Sequence, residues 1–169
     1  MQRILVPLDG SPLAEAILPY VEELASRLSA SVHLVRVVPL ARQLATAGMV
    51  GSGGIDGISG SDIRAIDEAV AAQMQEARTY LEQQASRLQS RGIKVQWEVR
   101  QGGAAEAVIK CALEKNSDLI AISTHGRTGL GRLVFGSVFD RVLRDAGIPV
   151  LVVKPTHKGG ASASGAAHA

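Results

Sequence analysis

The chain predicts an α/β fold, a parallel sheet of five strands with helices on both faces, from three observations. Short apolar runs alternate with longer segments of helical periodicity along the whole chain, the pattern of strand–helix–strand crossovers. Hydrophobic residues make up 46% of the sequence but aromatics only 3%, so the core is built from Val, Ile, Leu and Ala, the composition of strands buried on both sides. At 169 residues the chain is long enough for one compact domain that buries roughly 70% of its unfolded surface without staples.

The elements follow in order. Arg3–Pro7 is the first strand, ended by proline. A helix over Pro12–Ser29 has Ser11 as N-cap, Pro12 at the first helical position, and Leu13, Ile17, Val21, Leu24 and Leu28 on one face. Val32–Val38 is the second strand. A long helix over Ser61–Arg91 carries Ile63, Ile66, Val70, Met74, Ala77, Leu81, Ala85 and Leu88 at apolar spacing, with Gly92 placed to close it in a left-handed conformation. Lys94–Arg100 is a strand, Ala104–Lys115 a helix, Leu119–Ser123 a strand, Ser137–Ala146 a helix and Val150–Val153 the last strand.

Between the second strand and the long helix, Pro39 to Gly60 is rich in glycine and longer than an ordinary connection, a flap or a disordered insertion. The last stretch, Gly159 to Ala169, is low in complexity and too poor in apolar side chains to offset its ordering entropy. The expected organisation is one domain over 1–155, with a flexible insertion at 39–60 and a disordered tail over 156–169.

Charge and cysteine narrow the function. The formal net charge is +2, with acidic and basic residues interspersed as on solvated helix faces. With no basic stripe and few aromatics for stacking bases, nucleic-acid binding is not expected. The single Cys111 has no partner for an internal disulfide and reads as a small buried hydrophobe in a reducing compartment. No apolar window reaches the ~18 residues needed to cross a bilayer, and the opening run is too short for a signal peptide. A cytoplasmic protein without membrane contact is expected.

One segment suits an anion. From Asp118 the chain runs through the apolar Leu119–Ser123 into glycines at 126, 129, 131 and 136, then into a helix start at Ser137. Unpaired amides at a helix N-terminus carry partial positive charge, and glycine lets a phosphate approach the main chain. Two familiar motifs fail here. A Walker A loop would need Lys and Ser/Thr where Arg132 and Leu133 stand, and the dinucleotide fingerprint needs a third glycine where Val134 stands. Ser52-Gly-Gly-Ile-Asp-Gly57 resembles the start of a pyrophosphate loop but lacks its second Ser and a preceding strand.

The spacing that does fit is a small residue at 123, Gly126, nine residues, then Gly136-Ser137. With Ile4-Leu-Val-Pro-Leu-Asp9-Gly-Ser11 at the start and Ile148-Pro-Val-Leu-Val-Val-Lys-Pro155 near the end, the chain resembles the universal stress protein family, whose ATP-binding members carry Gly-x2-Gly-x9-Gly-Ser/Thr after the fourth strand. The resemblance covers about residues 1–38 and 61–155. It implies a sheet of order 3-2-1-4-5 and homodimers through the last strand, Val150–Val153.

It also implies a site for ATP, with or without Mg2+, at the C-terminal ends of the first and fourth strands. Pro7, Leu8 and Asp9 would lie by the ribose and adenine, and the Val37 backbone would read the adenine edge. Ile122 would line the base pocket, with Gly126, Gly136, Ser137 and Val138 around the phosphates. Ser123 stands at the first motif glycine: either it is strained there by a positive φ, or its hydroxyl adds a donor.

Each polar residue has a plainer role beside this one. Asp9 can stabilise the Asp-Gly-Ser turn, and Ser137 with Asp140 fits a variant capping box. Arg127 and Arg132 either neutralise phosphate or are merely solvated. His125 has a counterpart by position in the family the chain resembles, but no carboxylate or second His at usable spacing makes it a base or metal ligand, so it reads as holding loop geometry; His33, in the second strand, reads as structural. The functional expectation is an adenine-nucleotide-binding, dimeric stress regulator with at most slow ATP hydrolysis; the alternative is a nucleotide-independent dimerising module. An adenylating enzyme is disfavoured by the lack of a His-x-Gly-His signature.

Overall fold

A computed structural model describes residues 2–40, 60–124 and 137–155 of the chain, with side chains described from residue 64 in the second stretch. Five strands, β1 (Arg3–Pro7), β2 (Ser31–Val38), β3 (Val95–Gln101), β4 (Leu119–Ser123) and β5 (Val150–Val153), form one parallel sheet in the order β3-β2-β1-β4-β5. The helices are α1 (Pro12–Glu15), α2 (Leu18–Leu28), α3 (Gly60–Gln89), α4 (Ala104–Glu114) and α5 (Ser137–Asp145). The expected strand order therefore holds, and the element boundaries agree with the sequence reading to within two residues apart from one break.

That break divides the first expected helix. Pro19 has no N–H to return to the Glu15 carbonyl, and its ring crowds that position, so the helix ends at Glu15 and restarts at Leu18. Ala16 N and Ile17 N instead donate to the carbonyls of Leu13 and Ala14, the tighter i−3 pattern. Ile17 is fully buried at the join, so the break keeps the apolar stripe continuous.

The punctuation residues act as their chemistry suggests. Ser11 Oγ accepts from Ala14 N at 3.1 Å, the N-cap bond of α1. Gly92 takes φ +81 just past α3, where a side chain would be strained.

Alternation along the strands divides the core into two layers. Ile4 and Val6 of β1, Val32 and Leu34 of β2 and Leu119 and Ala121 of β4 pack with Val21, Ala25, Leu81 and Leu88 of α2 and α3. Leu5, Val35 and Ile120 face the other way, against Val108, Cys111 and Ala112 of α4 and Val142 of α5. Both faces of the sheet are thus covered, as an all-parallel sheet requires. β5 ends the sheet order, and its Val152 is 38% exposed.

Candidate functional site

The sheet itself opens the candidate site. β1 and β4 are neighbours, yet only Ile4 with Leu119 and Leu5 with Ile120 pair between them. Beyond Leu5 the β1 chain stays with β2, where Val6 and Pro7 pair with Leu34 and Val35 and Leu8 N donates to Val35 O at 2.9 Å. β4 stays with β5 through Ser123. The divergence comes where the strand order reverses, the place where open α/β sheets form a crevice at their carboxyl ends.

A crevice of about 250 Å³ lies there. Val35, Val37, Val108, Ile122 and Leu13 give it apolar walls, while Asp9, Ser123 and Thr124 supply polar groups. Of the residues singled out from the sequence, Pro7, Leu8, Asp9, Val37, Ile122, Ser123 and Val138 line it together. Ser137 is exposed at the start of α5 and is not in the wall. Gly126, Arg127 and Gly136, with His125 and Arg132, lie outside the described residues.

Three elements hold the polar groups. Asp9 Oδ1 accepts from Ser11 N at 2.8 Å, so the turn role foreseen for this carboxylate is in use. Gly10 adopts φ +88, a conformation in which a side chain would be strained, so this turn favours glycine. One oxygen of Asp9 is thereby engaged, and a carboxylate has further acceptor sites.

Ser123 resolves one alternative left open by the sequence. It is the last residue of β4, paired with Val153, and is not among the described residues with positive φ. Serine is accommodated there without strain. Its Oγ is buried and has no hydrogen-bond partner among the described residues, although the residue lines the crevice. A buried hydroxyl left so is costly, and such a group at a cavity wall is an open position for a ligand atom.

The starts of two helices complete the rim. Ala104 opens α4 behind Gly103, whose position offers no side chain to cap the first turn. Val138 and Phe139 bring the first turn of α5 to the same crevice. Ser137 is the first described residue of α5, and the residue before it lies outside the described residues.

Leu13, Ala14, Val35, Ala104, Val108, Thr124 and Phe139 line the crevice without having been foreseen as site residues. Their sequence signals are those of core positions: Leu13 belongs to the apolar stripe of the first helix. Only the divergence of β1 and β4 turns such positions into walls.

The profile of the universal stress protein family matches residues 1–154. Universal stress protein MJ0531 of Methanocaldococcus jannaschii is 31% identical over 157 residues, covering 93% of this chain and 84% of that one. The solved structure of MJ0577 from the same organism superposes with a TM-score of 0.71 at 26% identity, covering 92% of this chain and 96% of the other. At 20% identity, the structure of the universal stress protein from Archaeoglobus fulgidus in complex with dAMP shares the fold, with a TM-score of 0.54 over 91% of this chain and 98% of that one. With its strand order, its split between β1 and β4 and a profile match over nearly its whole length, this chain belongs to the universal stress protein family.

Proposed function

We propose that the crevice receives an adenine nucleotide, ATP with or without Mg2+, and that the protein works as a dimeric cytoplasmic regulator in stress rather than as a turnover catalyst. The observation that carries this reading is the buried Ser123 hydroxyl, without a hydrogen-bond partner among the described residues, in a largely apolar crevice beside the Asp9 turn. Apolar walls suit a planar base, and Asp9 and Ser123 offer an acceptor and a donor for ribose or phosphate.

Size agrees with this division of the ligand. Ligand pockets usually enclose about 300–1,000 Å³. The 250 Å³ here suits a nucleoside, with the phosphates lying toward the first turn of α5 at Val138. The Archaeoglobus relative, bound to dAMP, supports the ligand class. Gly126, Arg127, Gly136, Ser137 and Val138 are assigned to the phosphates on the motif spacing.

Against turnover stands the chemistry of the wall. Among the described lining residues Asp9 is the one ionisable group, and none of the others could complete an acid–base pair with it. The proposed dimer forms through β5, a sheet-edge strand whose backbone a second copy would cover.

Isothermal titration with ATP and magnesium tests the reading, with light scattering for mass. Saturable binding by a dimer is expected. A flat titration at millimolar nucleotide overturns it and leaves the dimerising module, for which the exposed Val152 at the edge speaks. Phosphate release by wild type and Gly136→Val distinguishes slow hydrolysis at this site from contamination.

A further inference from the structure

At the far end of α4 from the crevice, three ligand-type side chains converge from three elements. His33 of β2, Glu98 of β3 and Cys111 of α4 offer donor atoms that all lie within 4.8 Å of one another. Cys111 Sγ donates to Glu98 Oε1 at 3.1 Å, and His33 Nε2 lies 3.6 Å from the same oxygen, beyond hydrogen-bond range. The His33 side chain is only 9% exposed and its Nε2 has no hydrogen-bond partner among the described residues, a buried nitrogen facing a carboxylate just beyond bonding range.

We propose that His33, Glu98 and Cys111 form a binding site for one thiophilic divalent metal ion of the zinc type. Tetrahedral ligand atoms at bonds of about 2.0–2.3 Å stand roughly 3.5 Å apart, so the observed spacing needs only small side-chain adjustments. Nitrogen, sulfur and carboxylate donors together suit zinc or cobalt rather than magnesium or calcium. Three protein ligands leave a fourth position for water, and His33 forms part of the wall of a second cleft, shared with Ser31, Gln96, Glu114 and Lys115, through which an ion can enter.

The neighbouring cations are the chief obstacle, and the geometry gives them alternatives. Arg100 bonds Glu98 Oε1 at 2.6 Å and also Glu114 Oε2 at 2.6 Å, so it keeps a carboxylate when Oε1 turns to the metal. Lys115 lies 3.3 Å from Oε2 and stays there. Binding breaks the Cys111 S–H bond, forms an S–metal bond from the freed electron pair and passes the proton to water in the cleft. The thiolate and carboxylate then balance the two charges of the ion.

Cobalt(II) titration of the full-length protein tests the site. The chain holds one cysteine, so any near-ultraviolet thiolate-to-cobalt band reports Cys111, whereas cobalt held by His125, His157 or His168 gives none. Expected are one equivalent of cobalt with that band, its displacement by zinc, and its loss in Cys111→Ser and in folded His33→Gln. In wild type alone, zinc should also slow alkylation of Cys111. Absence of the band at millimolar cobalt, its persistence in His33→Gln, or alkylation unaffected by zinc overturns the proposal.

Discussion

The two ends of α4 lie on one face of the same sheet and have opposite chemistry. Its first turns, at Ala104 and Val108, close a largely apolar crevice where the buried Ser123 hydroxyl has no hydrogen-bond partner among the described residues. Its last turns, at Cys111 and Glu114, and Lys115 just beyond join a charged cluster in which Glu98 collects a thiol, a guanidinium and an ammonium. The difference follows from the strands beneath. β2 gives Val35 and Val37 to the crevice and His33 to the cluster, while β3, with Glu98 level with Val35 and Arg100 level with Val37, turns those two side chains toward Cys111 and Glu114. The nucleotide proposed for the first end would depend on shape and a few polar positions; the metal proposed for the second would depend on exchanging partners already made.

Breaking the charged end should have the largest effect. Glu98→Ala leaves Arg100 and Lys115 facing His33 and should cost about 1–3 kcal/mol in urea unfolding, less than a fully buried pair because Glu98 retains some solvent. Acid should erase part of that difference. Burial by itself would raise the Glu98 pKa, but the Cys111, Arg100 and Lys115 donors outweigh it and hold it at about 2. Its folded value is thus depressed: the contribution is complete above the ordinary 4.5 and disappears as pH falls toward about 2. Wild type and Glu98→Gln should therefore converge in stability over that window.

His33 adds a second pH dependence. Burial lowers its pKa below 6.5, Glu98 opposes this, and the unfolded chain takes up the proton first. Stability at this position is present above 6.5 and is withdrawn as pH drops below it, and His33→Gln should remove that slope from the unfolding profile.

The crevice end can be sharpened without disturbing the cluster. Ala104→Trp places an indole in the cavity mouth and should weaken nucleotide binding by about tenfold or more in calorimetry, about 1.4 kcal/mol, while the cobalt response is retained. Ser123→Ala is the smallest change. Without ligand it should leave stability within about 1 kcal/mol of wild type or raise it, because the hydroxyl it removes is unpartnered; with nucleotide it should cost about one hydrogen bond, roughly 1 kcal/mol of affinity.

Legibility in the sequence followed how local the determining physics was. The five strands, the helix faces, Ser11 as cap and Gly92 as stop depend on neighbours within a few residues, and they were readable. Pro19 was also visible, yet the continuous apolar stripe concealed the break it imposes. Most of the residues expected at the crevice could be named because the chain follows a family spacing, whereas Val35 and Val108 read only as apolar positions of a strand and a helix.

The charged cluster had no such signal. His33, Glu98 and Cys111 are 65 and 13 residues apart along the chain, with no spacing that marks them as partners. His33 was read as structural and Cys111 as a hydrophobe; Cys111 is indeed fully buried, its thiol pushed up to about 12 by burial and by the hydrogen bond to Glu98.

By itself, then, the sequence determined the class of fold, the strand and helix order, and the family, because periodicity, turn chemistry and a glycine spacing are properties of short segments. Tertiary structure alone decided where β1 and β4 part, which apolar residues become crevice walls, and which side chains gather around Glu98. Those outcomes depend on the register between strands distant in sequence, and register is set only when both layers of the core pack at once.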